Sequence, residues 1–159
     1  MPLVFRSMLA DGTGLVPRIG NDADSLGVRV ADETGGFKDI TVVDGVVKTG
    51  REGMSVSPSV LQLPSHRVPK KFKGLIPEFE GRKTPSGKNA LNCWRLGEGA
   101  FVDGSFAPKL CFLTQPEGSP NHGVVSPETD LQLDEYRKAL EQTQPNWTVV
   151  PWPWEGDQS

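Results

Sequence analysis

A chain of 159 residues, 36% of them apolar, has the size of one domain with a sizeable buried core. Its formal net charge of −3 argues against the broad basic field of a protein held on nucleic acid or on an anionic membrane. No run approaches the roughly eighteen apolar residues of a membrane span, and "MPLVFRSML" carries no signal-peptide cleavage pattern. The expectation is a soluble, cytoplasmic protein, or one that enters a target cell's cytoplasm by a route needing no signal peptide.

Eighteen glycines and fourteen prolines punctuate short apolar runs. In chain order these are Leu3 to Phe5, Leu26 to Val30, Ile40 to Val43 with Val46 and Val47, Met54 to Val56, Ala100 to Val102, Leu110 to Leu113, and Val124 to Val125. Their shortness, their valine content and the Gly, Pro, Asn and Asp around them predict strands, so the domain is mostly strands. Ala23 to Leu26 has room for a short helical turn between Gly20 and Gly27. Pro77 to Lys88 lacks apolar periodicity and reads as a long surface loop. Leu133, Tyr136, Ala139, Leu140 and Thr143 mark one face of a helix, with Asp134 and Glu135 in its first turn and Pro145 as its stop. The tail after Trp147, "TVVPWPWEGDQS", cannot continue a central strand through its prolines. It either packs its indoles on the domain or docks a partner.

Cys93 and Cys111 lie in apolar surroundings, "LNCWRL" and "KLCFLT", which suits free thiols in a reducing compartment. With His66 and His122 they complete no zinc spacing, so no metal is expected. The stretch Arg67 to Lys73, "RVPKKFK", followed by Arg82, Lys83 and Lys88, is either a solvated loop or a site for a phosphate-bearing ligand.

In "GREGMSVSPS", strand alternation puts Ser55, Ser57 and Ser59 on one face and Met54, Val56 and Val60 on the other. No G-x-S-x-G elbow accompanies these serines. Arg6 lies in the first strand, "VFRSM", and His122 opens a late strand, "NHGVVSP". An arginine on the first strand, hydroxyls on a middle strand and a polar residue on a late strand resemble the ADP-ribosyltransferase fold, which splays NAD across a cleft between two small sheets. More narrowly, the order of "FRSM", "LGVRV", "GMSVSPS", "LPSHRVP", "WRLGEGAF", "LCFL", "HGVVSP" and "DEYRKALEQTQPNW" is similar to a toxin family with this fold, typified by a small type VI secretion effector of Pseudomonas and with fungal relatives. The similarity runs from Leu3 to about Trp147.

The resemblance implies an α+β domain of two small, mainly antiparallel sheets forming a cleft, with few helices, as a single unit over 1–159 with its core at about 3–147. It implies a cytotoxic enzyme acting on NAD by ADP-ribosyl transfer or NAD consumption, with an unnamed macromolecular target and, for a bacterial producer, a cognate immunity protein. Arg6 then matches the arginine that meets the dinucleotide pyrophosphate, as a planar guanidinium can. The other reading of Arg6 is a surface-accessible charge beside an apolar strand. Ser55 matches the hydroxyl that shapes the nicotinamide pocket, and Ser57 shares that task. His122 matches the polar residue that bonds a ribose hydroxyl or orients an acceptor. Arg67, with His66, is placed to reach an adenosine phosphate, and Trp94 either stacks on a base or belongs to the core.

The chain departs from the commoner transferase pattern at the late-strand glutamate, for which only Glu117 and Glu128 lie near His122. RNA 2′-phosphotransferases, which use arginine and histidine instead, are the alternative enzyme class. They require a richer basic cleft than Arg6, His66, Arg67 and His122 supply. A non-enzymatic β-rich binding module is the third reading.

Overall fold

A computed structural model describes residues 1–30, 38–50, 52–76, 84–115 and 122–155. Most of the predicted apolar runs become strands: β1 (Val4–Met8), β2 (Val42–Val43), β3 (Val46–Val47), β4 (Met54–Val56), β7 (Leu110–Thr114) and β8 (Gly123–Pro127). Between and after them come β5 (Asn92–Leu96), β6 (Gly104–Ala107), β9 (Leu131–Gln132) and β10 (Thr148–Val150). They form three antiparallel sheets rather than the expected two, in the orders β1-β5-β10, β2-β3-β9 and β4-β8-β7-β6. The extra sheet is made of two-residue strands at the hairpin around Gly45, too short to be told from a turn by sequence pattern.

Three predicted elements are not strands or helices. Leu26 to Val30 forms no continuous strand among the described residues; single bridges pair Ile19 with Leu26 and Val30 with Ile40. The Ala23 to Leu26 segment is a turn, and its shape depends on a backbone contact: a Cβ at Gly27 would lie 1.8 Å from the Gly20 carbonyl oxygen. Glycine is required there because the two ends of the 20–27 loop touch backbone to backbone. Ala100 to Val102 is also irregular, and Phe101 packs its ring 4.6 Å from that of Phe112.

The helix α1 spans Leu133–Glu141, among the described residues the one α-helix of the fold. It carries Asp134 and Glu135 in the first turn and buries Tyr136, Ala139 and Leu140. Tyr136 does more than fill space. Its hydroxyl donates to the Val125 carbonyl at 2.5 Å and accepts from the Met54 amide at 3.3 Å, so the helix pins β4 and β8 together. A separate 3-10 turn, Gln144–Asn146, holds Pro145.

Apolar side chains collect in two cores on opposite faces of the β1-β5-β10 sheet. The larger holds Val4, Met8, Trp94, Leu96, the β4 residues Met54 and Val56, and the helix face. The smaller joins Leu63, Val68, Phe72, Cys93, Trp152 and Trp154. The tail therefore packs on the domain. Trp152 and Trp154 are 3% and 4% exposed, both rings lie within 6 Å of Phe72, at 5.8 and 5.7 Å, and the Trp152 indole donates to the Leu91 carbonyl. Before its prolines the tail contributes β10 as an edge strand, consistent with their inability to donate within a ladder. Both cysteines are free thiols; burial pushes Cys93 up to about 12 and Cys111 upward as well. Among the described residues no helix is long and apolar enough to cross a membrane.

Candidate functional site

The β1-β5-β10 sheet meets the end of β4, in the four-stranded sheet, at a short backbone hinge. Phe5 of β1 and Ser57, just past β4, exchange two backbone hydrogen bonds of 2.8 Å. Phe5 and Ser57 of this bridge also line a cleft of about 220 Å³, with Arg6, Ser55, His66, Arg67 and His122, together with Arg29 and Asp39. Arg6, Ser55 and His122 thus share one cleft, the arrangement that separates an active-site reading from scattered polar residues. The volume suits one end of a dinucleotide, since pockets enclosing whole ligands of that size run to about 300–1,000 Å³.

The serine stretch takes its place by alternation. Met54 and Val56 are buried in the larger core, Ser55 is half-exposed between them, and Ser57 is buried at the hinge. Gly53 admits the strand, because a Cβ there would sit 2.2 Å from the Val125 carbonyl oxygen. The register Ser55 to Val124 and Val56 to Gly123, carried one step further, sets His122 across from Ser57. Ser59 lies beyond β4, as the residue before a 3-10 turn, and is not among the cleft residues.

Arg6 is not a surface-accessible charge. It shares its strand face with Val4 and Met8, both fully buried, and is itself 7% exposed. Its guanidinium is satisfied by backbone carbonyls: Nη1 donates to Ser55 at 2.8 Å, Nη2 to Ser25 at 3.0 Å and to Ala23 at 3.4 Å, and Nε to Ser25 at 3.4 Å. The Gly20 and Gly27 contact therefore has a purpose, because it folds the loop that presents the Ala23 and Ser25 oxygens. Burial, followed by the nearby positive charge of Arg67, lowers Arg6 to about 10, which leaves it charged at neutral pH.

Arg67 is the member of "RVPKKFK" that reaches the cleft. It donates to Asp24 at 2.8 Å, to the Ser7 carbonyl at 2.9 Å and to the Ala23 carbonyl, while Lys88 bonds the other Asp24 oxygen. Burial raises Asp24, but the hydrogen bonds from Lys88 and Arg67 outweigh it and hold the carboxyl below its ordinary value. Lys70, Lys71 and Lys73 are exposed and outside the cleft, which makes them a solvated face. Arg82 and Lys83 lie outside the described residues, as does most of the predicted Pro77 to Lys88 loop.

Trp94 takes the second of its two readings and belongs to the core. It is fully buried on the core face of β5, opposite Arg6, and its indole donates to the Met8 carbonyl at 3.0 Å. An indole enclosed in that way has no face left for a ligand base. Glu128 is exposed in a turn, with its amide on the Lys109 carbonyl, and does not line the cleft. Glu117 lies outside the described residues.

Sequence reasoning passed over Arg29 and Asp39. The Arg29 Nε and Nη2 meet the two Asp39 oxygens at 3.2 and 3.0 Å, and the Arg29 amide meets Asp39 Oδ2 at 2.8 Å. The alternation in "LGVRV" held a clue, with Val28 and Val30 buried and Arg29 between them turned outward. On the cleft wall three guanidiniums thus face one carboxylate, an excess of positive charge on a protein of net charge −3.

The two imidazoles complete the wall. Burial holds His122, which is half-buried, below its ordinary value of 6.5. His66 is lowered by partial withdrawal from water, then by the charges of Arg67 and Arg29, although the residue keeps substantial exposure. Both are neutral at pH 7, able to accept a proton or donate a hydrogen bond. The sign of the pH dependence follows. A histidine with a lowered folded-state pKa contributes stability that is complete above the unfolded value of 6.5 and is lost as pH falls through the folded value beneath it. Urea midpoints are expected to fall between about pH 7 and pH 5, and His122→Gln should flatten that fall. Asp24 adds its loss only at lower pH, around and below its ordinary 3.8. A midpoint that stays constant as pH falls below 6.5 would show that folding does not withdraw the His122 imidazole from water.

Comparison of the chain with protein-family models, with curated proteins and with solved structures yields no match. The functional reading accordingly rests on the cleft.

Proposed function

We propose that this cleft binds the phosphate-bearing part of a nucleotide and that the protein is a cytotoxic effector of ADP-ribosyltransferase type, with the corresponding fold, using NAD as substrate inside a target cell. The observation that carries the reading is the convergence on one cleft of arginines, serine-strand groups and a neutral imidazole from five separate stretches of chain. Guanidiniums supply charge-assisted hydrogen bonds to phosphate oxygens. Ser55 and Ser57 shape the nicotinamide end, and His122 bonds a ribose hydroxyl or orients the acceptor.

The basic wall also favours a second reading. The RNA 2′-phosphotransferase class needs arginines and histidines where the commoner transferases have glutamate. Arg29 adds to Arg6, His66, Arg67 and His122 the basic group that the sequence reading lacked. On this reading the cleft takes a phosphate carried on RNA and passes it to NAD. The same purified protein separates the cases. Incubated with labelled NAD and a cell lysate, it is expected to release nicotinamide and transfer label, and its induced expression in a cytoplasm is expected to arrest growth. NAD consumption only with a 2′-phosphorylated oligonucleotide would select the second reading. Soluble protein that consumes no NAD under either condition and leaves growth unimpaired would leave the β-rich binding module.

A further inference from the structure

Three arginines line the cleft, and their hydrogen bonds differ in a way that decides which of them can hold a ligand. A guanidinium has five N–H groups. Arg6 directs its donors to the carbonyls of Ser25, Ala23 and Ser55, on both edges of the fork. Arg67 directs Nη1 to Asp24 and Nη2 to the Ser7 and Ala23 carbonyls. Either would have to abandon buried oxygens to clamp a phosphate, leaving those acceptors unsatisfied.

Arg29 is different. Asp39 takes one edge of its fork through Nε and Nη2, and among the described residues no acceptor meets Nη1. The side chain is 31% exposed against 9% for Asp39, so the carboxylate anchors an arginine that keeps more contact with water than its partner does. Asp39 also accepts from the Arg29 amide, which fixes the pair relative to the backbone. Such anchoring orients the open edge before a ligand arrives and reduces the ordering cost of binding.

We propose that Arg29 is the ligand-holding arginine of the cleft, taking the pyrophosphate of a nucleotide on its Nη1 edge, while Arg6 and Arg67 build the wall and supply its field. This assignment rests on the nucleotide reading of the cleft and shifts its pyrophosphate contact away from Arg6. Nothing in it requires the ligand to be NAD.

The test is calorimetric binding of inorganic pyrophosphate and, separately, NAD to the full chain. Arg29→Lys keeps a cation beside Asp39 but has one ammonium in place of a two-edged fork, so it cannot hold both Asp39 oxygens and also present two parallel donors to the ligand. Its melting temperature should stay close to that of the unaltered protein, while pyrophosphate affinity falls by about tenfold or more. The double variant Arg29→Gln with Asp39→Asn removes both charges without stranding either, and should lose affinity at least as far. Lys73→Met, an exposed cation outside the cleft, should bind as before and shows that general charge is not the cause. Pyrophosphate binding unchanged in Arg29→Lys overturns the assignment and leaves the cleft reading standing. Pyrophosphate binding lost in that variant, in a protein that neither binds nor consumes NAD, upholds Arg29 and removes NAD. A native protein that binds neither probe overturns both.

Discussion

Val56→Asp is expected to yield no folded protein, whereas Ser55→Ala, one residue earlier, is expected to fold normally and lose activity. The contrast follows from strand alternation between adjacent positions. Val56 is 2% exposed and belongs to the larger core with Met54, Phe112 and Val125. A carboxylate there has no described cation to pair with inside the apolar cluster, and burying it costs several kcal/mol, comparable with the whole stability of a domain at about 5–15 kcal/mol. Ser55 faces the cleft. Its alanine variant removes a hydroxyl worth about 1 kcal/mol at most and leaves untouched the Ser55 carbonyl, the atom that accepts from Arg6 at 2.8 Å. Activity is less tolerant, because a group that positions the reacting part of a substrate acts on geometry where small displacements cost large factors in rate. Circular dichroism and nicotinamide release, measured on the same preparations, read the two effects separately. Cooperative unfolding in Val56→Asp, or full activity in Ser55→Ala, would return this strand to a polar surface without a role.

What sequence made legible was whatever depends on local periodicity. Short valine-rich runs between turn residues pointed to β1 and β8, alternation set the faces of β4, and the spacing from Leu133 to Thr143 marked the helix. β6 escaped because "GSFA" offers a single large apolar residue, Phe106, against a glycine and a serine that normally signal a turn. The β2-β3-β9 sheet escaped because two-residue strands carry no period at all. In the candidate site, Arg6, Ser55, Ser57, Arg67 and His122 were all named from sequence, and they do line one cleft. Ser59 and Glu128 do not, and neither does Trp94. Its position inside β5 was readable, but the face it occupies depends on the pairing with β1, a contact between residues far apart in the chain. Arg29 and Asp39 were missed for the same reason. An arginine between two valines shows only that it points away from them. Its pairing with Asp39 is made by the Val30 to Ile40 bridge, which no local pattern announces.

The environment of Arg6 was the least legible, and it produces the last expected result. An arginine at an accessible site could be cut to alanine with little effect on stability. Here the same change should lower the melting temperature substantially. Removing the side chain strands the carbonyls of Ser55, Ser25 and Ala23 and opens a void on the face shared with Val4 and Met8. Each stranded oxygen that water cannot reach costs about 1–3 kcal/mol, and the void adds a packing loss. Against this stands one relief: the alanine variant no longer holds a guanidinium out of water, a cost visible in the depression of Arg6 to about 10. The sum favours a net loss of about 3 kcal/mol or more, and at about 2–4 °C per kcal/mol for a domain of this size that is a fall on the order of 10 °C. Arg6→Lys should lie between, because an ammonium keeps the charge and three donors but cannot span the carbonyls in one plane. Lost activity in Arg6→Ala therefore says little about ligand contact, since the 20–27 loop that shapes the cleft would loosen with it. The informative measurement is thermal unfolding of the two variants side by side. A melting temperature unchanged in Arg6→Ala would show that these carbonyls do not depend on the guanidinium, and would restore Arg6 as a candidate for direct contact with the pyrophosphate.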